Sequence, residues 1–188
     1  MNRVFLLVIF LLYGLELRAE TSGSSQFHLT KINRNFLTAP QFVYSGAQQY
    51  PSNQRDRWLE VEVEFKAAPE QTDELTFRYL ILVNETVLSG EVTHVNIAAG
   101  PEQRSVMYVS PRALTRCVGN RTPTPALVRN ICVQIVHGGA TQDELSMIRG
   151  KPDWYSNQPR VTGLLLNKNQ TPFAPLYWDR YAQIKNPP

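Results

Sequence analysis

The chain has 188 residues, with 19 Lys and Arg against 16 Asp and Glu for a formal charge of +3. Hydrophobic residues make up 43% and charged residues 19%, with 10 Gly and 13 Pro, which excludes a disordered tail, a collagen-like chain and a multi-span membrane protein. A charge of +3 spread over this surface leaves no electrostatic footprint for nucleic acid.

Residues 1–19 have the anatomy of a secretory leader. Arg3 precedes the apolar run Val4 to Leu15, broken only by Gly14, and Ala19 offers a small residue before the cut. The run is shorter than the ~20 residues of a spanning helix, so cleavage is expected at or near Ala19, with an uncleaved anchor as the rival. No later run is long enough to span a membrane. Residues 20–188 are expected to form one domain, opened by the small polar lead-in ETSGSS.

The first strong strand signal is 58–66, where Leu59, Val61, Val63 and Phe65 alternate with Glu60, Glu62, Glu64 and Lys66. After APEQTDE the alternation resumes at 75–83, Asn84-Glu85 turns the chain, and 86–97 continues with an interruption at Gly90. Further strands are expected at 104–109 and 129–137, weaker ones at 26–33 and 41–45, and a hairpin from 160–166 and 171–178 around NKNQ. Ser110 before Pro111, with Gly119 behind, predicts a helix over 111–118. Thr141 and Glu144 at capping-box spacing predict a second over 142–149. Eight or nine short strands with one or two short helices predict a mostly-β fold, an antiparallel immunoglobulin-like β-sandwich.

Cys117 and Cys132 are the only cysteines. In an exported chain they are expected to form a disulfide, closing a loop of about 15 residues that contributes roughly 3 kcal/mol. Two cysteines without a nearby His pair supply too few ligands for a metal. His28, His94 and His137 lie at no metal-ligand spacing, and no motif implies a cofactor. No GxSxG elbow accompanies a serine, and Gly138-Gly139 lacks the sequel of a phosphate loop. Glu60, Glu62 and Glu64 read as the wet face of a strand. The expectation is a protein that acts by binding, with an unrecognised hydrolase as the rival.

Two surface groups are candidates for binding. Arg112 and Arg116 are one helical turn apart, near Arg121 and Arg129; they form a basic patch for an acidic partner or merely a solvated helix face. Trp154 and Tyr155, with Tyr177, Trp178 and Tyr181, offer rings for stacking on sugars or for a protein contact, or they lock the last hairpin to the core. A carbohydrate-binding module is therefore an alternative function. The open edges of a sandwich are a further means of assembly, with residues 20–33 pairing with a neighbouring copy or folding back onto their own sheet.

The runs LLLNKNQTPFAPLYWDRYAQIK (164–185), KINRNFLTAPQF (31–42) and EVEVEFKA (60–67) resemble a family of exported proteins from Akkermansia and related Verrucomicrobia, encoded with type IV pilus-like genes. The resemblance implies an immunoglobulin-like fold, a place in the periplasm, outer membrane or cell surface, and a protein partner in a pilus-like assembly or host contact. It carries over no catalytic residue. A type IV pilin keeps its apolar helix after processing, whereas the cut expected here follows the apolar run. The resemblance therefore points to an accessory protein.

Overall fold

The computed structural model describes residues 25–43, 45, 46, 48, 56–119, 122–148, 150, 153–177 and 179–185. The expected leader 1–19, Arg121 and Trp178 lie outside the described residues. The fold is mostly β and antiparallel. Its frame is one long ribbon, β2 (Arg57–Val83) and β3 (Thr86–Val109), turned at Asn84-Glu85 and paired from Val83↔Thr86 back to Leu59↔Val109. The short strands expected at 58–66 and 75–83 are thus one strand of 27 residues. APEQTDE does not end it; register shifts between Phe65 and Gln71 bend it instead.

That bend creates the core. Leu59, Val61, Val63 and Phe65 before it, and Leu75, Phe77, Tyr79, Ile81 and Val83 after it, are all fully buried in one cluster. The Phe65 and Phe77 rings meet across the bend with centroids 4.7 Å apart. The inner face of a single sheet is folded over on itself, so its two layers share their strands. This is where the structure departs from two separately paired sheets.

The remaining strands extend both layers. β1 (Phe27–Thr38) pairs with the first stretch of β2, from Phe27↔Ala67 to Thr38↔Arg57. β4 (Val128–His137) pairs with the second stretch, and β5 (Ala140–Ser146) pairs with β4. β6 (Arg160–Thr162), β7 (Leu165–Asn167) and β8 (Gln183–Ile184) all add to β3, β6 in parallel. Of the segment 41–45, the described residues 41–43 and 45 join no strand. The first strand therefore folds back onto its own sheet. Its free side then meets the other layer: the Leu29 N–H donates to Asp143 Oδ2 on β5 at 2.7 Å, and Arg34 Nη1 donates to the Val128 carbonyl at 2.6 Å.

Among the described residues one α-helix forms, α1 (Pro111–Val118). Ser110 Oγ accepts from the Ala113 N–H, Gly119 closes the helix at φ 64°, and Ala113, Leu114 and Val118 enter the core. Where a helix is expected over 142–149, residues 142–146 lie in β5 and 147–148 form a bend, residue 149 lying outside the described residues. Gly138 and Gly139, at φ 59° and 79°, supply the left-handed pair that a tight hairpin turn needs, and β4 offers an unpaired edge. That ladder overrides the local capping signal. The hairpin expected around NKNQ is also absent, because β7 pairs with β3 and Lys168–Gln170 make a single 3₁₀ turn. Gly90 marks neither a bulge nor a bend. It sits in register opposite Tyr79, where a Cβ would lie 2.6 Å from Leu165 Cβ.

The expected disulfide is not formed: both cysteines are free. Cys117 packs from α1 against the main core, where Ile131 and Val133 also point. Cys132 lies between those two on β4 and faces the opposite side of the sheet, against Leu80, Val87 and Tyr155. The sheet backbone separates the sulfurs, and a disulfide bridges only Cα atoms within ~7 Å whose Cβ vectors converge.

Candidate functional site

The outer face of the first layer is the place where the sequence reading and the structure differ most. Glu62, expected on a wet strand face, is 4% exposed. The described residues of the C-terminal segment, 171–177 and 179–185, lie over it as a strap. Arg180 donates to the Glu62 carboxylate through Nε at 3.0 Å and Nη2 at 2.9 Å, and Tyr181 Oη–H donates to Oε2 at 2.6 Å. Arg104 Nε stands 3.8 Å from Oε1. Burial alone would raise the Glu62 pKa, but the hydrogen bonds of Arg180 and Tyr181 and the charges of Arg180 and Arg104 outweigh it and hold it below the usual carboxylate value.

A second anchor lies deeper. His94 on β3 is fully buried, with Nδ1 2.9 Å from the Ala182 carbonyl and Nε2 2.8 Å from Ser105 Oγ. A carbonyl only accepts, so the proton sits on Nδ1 and Nε2 accepts from the Ser105 hydroxyl. Ser105 Oγ in turn accepts from Tyr79 Oη–H at 2.9 Å. Burial pushes the imidazole down to about 4, so the ring is neutral. β8 pairs with β3 beside this chain of bonds, and Lys185 Nζ pairs with Glu74. Lys168, 4% exposed, donates to the Ala174 carbonyl at 2.7 Å near the start of the strap. The Ser105–His94 pair has the elements of a nucleophile and base, but both side chains are at 0% exposure. They fasten the strap.

Where the strap passes β1 and β2 it leaves a groove of about 600 Å³. One wall is the chain leaving β1, Leu37 to Gln41; the other comprises Phe173, Leu176 and Tyr177 of the strap. Tyr108 and Phe173 stack at 4.9 Å with 10° between their planes, and Trp58 meets Phe173 edge-on. Glu60 accepts from Tyr108 Oη–H at 3.0 Å and from Asn35 Nδ2 at 3.0 Å, and Arg57 is exposed at the rim. Tyr177 is 67% exposed and holds φ 51°, the left-handed region.

The residues expected to bind are divided by the fold. Trp154 and Tyr155 cover Cys132 on the far layer. Tyr155 is 8% exposed, with its hydroxyl between Glu144 Oε2 at 2.8 Å and Gln134 Nε2 at 3.0 Å, and Trp154 Nε1 donates to Ser146 Oγ. They pack on the sheet around Cys132 and do not lock a C-terminal hairpin. Arg112 and Arg116 are both exposed and share a shallow hollow of about 510 Å³ with Asp56, Thr115 and Gly119. Tyr177 and Tyr181 belong to the strap, Tyr181 packing near Val106, Tyr108 and Phe173. Sequence reasoning missed the groove, whose walls lie more than a hundred residues apart; Pro40, ending β1, was its only local sign. Among the described residues no group of three His, Cys, Asp or Glu is placed to hold a metal, and no helix is long and apolar enough to cross a membrane.

No curated protein is significantly similar to the chain. A crystal structure of a protein from Akkermansia muciniphila superposes with a TM-score of 0.74 at 28% identity, over 87% of this chain and 94% of that one. A protein-family model matches residues 18–188, which span the ribbon, the helix, the groove and the strap. The chain therefore belongs to the family that this model defines, and it shares its fold with the Akkermansia muciniphila protein.

Proposed function

We propose that the protein is an exported, non-enzymatic binding protein that serves as an accessory component of a pilus-like surface assembly or in host contact. The observation that carries this reading is the match of a protein-family model over nearly the whole chain, together with the fold shared with a protein of Akkermansia muciniphila. The sealed Ser105–His94 pair supports binding over hydrolysis, since a substrate carbonyl has no path to Ser105 Oγ. The leader expected at 1–19 supports a place outside the cytoplasm, and among the described residues no helix is long and apolar enough to cross a membrane.

Crosslinking and mass spectrometry on intact cells of the source organism test the assembly reading. Crosslinks from the mature chain to proteins encoded with pilus-like genes are expected; crosslinks to cytoplasmic proteins alone would overturn it. The intact mass of the exported protein should correspond to a start at or within a few residues of Glu20. A mass retaining residues 1–19 would show the anchored form.

A further inference from the structure

We propose that the groove between the end of β1 and the C-terminal strap is a binding site for a short neutral oligosaccharide. The proposal goes beyond the accessory role and does not depend on it. The volume, about 600 Å³, lies inside the ~300–1,000 Å³ range of small-molecule sites. Its shape comes from fixed parts. The Tyr108 and Phe173 rings are stacked on each other, and the strap that carries Phe173 is fastened through Glu62 and His94.

The chemistry of the lining selects the ligand. A pyranose ring has a C–H face that packs on an aromatic ring and a rim of hydroxyls that donate and accept in the ring plane. The groove pairs these features: the exposed Tyr177 ring stands beside a floor of Tyr108 and Phe173, which are buried and stacked on each other, with planar polar groups from Arg57, Glu60 and Gln41. Glu60 is already held by Tyr108 and Asn35, so its carboxylate is oriented before a ligand arrives, and it retains lone pairs for a hydroxyl. One guanidinium and one carboxylate leave the lining with no net charge, which suits a neutral sugar and penalises an anionic one. An apolar helix would leave Glu60 and Arg57 facing its hydrocarbon face.

Tyr177 is the second, independent observation. A tyrosine at φ 51° is strained, and such strain persists where the surroundings or a function require it. Here the ring is 67% exposed, so burial of the side chain does not repay the conformation. It presents a ring at the mouth of the groove instead.

The test is titration of the purified protein with cellotriose, chitotriose, maltotriose and N-acetyllactosamine, followed by calorimetry and saturation-transfer NMR, with sialyllactose and a chondroitin sulfate disaccharide as acidic probes. At least one neutral probe is expected to bind, with contacts to aromatic protons. Tyr177→Ala and Arg57→Ala should each weaken it roughly tenfold or more, and Tyr177→Phe should stay within about twofold of wild type. Both positions are exposed, and thermal melts of the variants should match wild type, which separates lost contact from lost fold. Trp154→Ala should bind normally. The proposal is overturned if no neutral probe binds, if binding is indifferent to Tyr177→Ala, or if only acidic probes bind and Arg112→Ala abolishes it. None of these results bears on the crosslinking outcome, so the two readings fail separately.

Discussion

His94 has one neutral tautomer fixed by an acceptor-only partner, and every link in its chain of bonds is buried. Its ring titrates near 6.5 when unfolded and at about 4 in the fold. The unfolded chain therefore binds the proton more readily. Stability from this residue is complete above pH 6.5 and is lost as pH falls from there toward about 4, to the extent of roughly 3 kcal/mol. Urea titrations from neutral pH downward should show that decline, and His94→Gln should flatten it while costing about 2–4 kcal/mol at neutral pH. The cysteines make a simpler test. Labelling after denaturation without reductant should find two thiols, and in the folded protein Cys132 should be inert, since burial pushes it up to about 12. The placement of Cys132 was legible in outline, because Ile131, Val133 and Ile135 alternate onto one face and leave it to the other. What the sequence could not show was that α1 delivers Cys117 to the core side. Gly90 was legible only as an anomaly. Gly90→Ala should destabilise by about 1–3 kcal/mol, measured by thermal melt, because Leu165 Cβ occupies the space a methyl needs.

Among the elements, the strap shows most clearly how far a local pattern reaches. The alternation of Glu60, Glu62 and Glu64 with apolar residues is a sound signal for a strand with one polar face, and the strand is there. The pattern is silent about what covers that face, because Arg180 and Tyr181 stand 118 and 119 residues away. Glu62→Gln should loosen the strap while leaving the ribbon intact. Arg180 is 43% exposed, so the cost is about 1–3 kcal/mol, less than for a fully buried pair. Hydrogen exchange should then show 180–185 losing protection before β2 and β4. Acid acts in the same direction at this anchor, since a carboxylate held below its ordinary value loses its contribution as pH falls through that value. β5 teaches the converse. Thr141 and Glu144 do fit a helix start, but Gly138 and Gly139 set the turn and the free edge of β4 set the partner.

Over the whole molecule, the class of fold was legible because alternation at period two recurs through most of the chain. The layering was not, since it depends on two strands passing through a bend that reads locally as an interruption. Because β2 and β3 belong to both layers, neither layer has a set of contacts it could keep alone. Thermal unfolding of the described body should be a single transition whose calorimetric and van't Hoff enthalpies agree; two resolved transitions would show the layers to be separable. The same folding-over brings the outer side of β1 against β5, where Asp143 takes the Leu29 N–H and stands 3.8 Å from His28 Nδ1. The β5 rim of the sheet thus guards the β1 rim with a side chain. A folded chain of this kind resists recruitment into strand-exchanged polymers. Asp143→Ala should remove that protection, and light scattering should register it as concentration-dependent association.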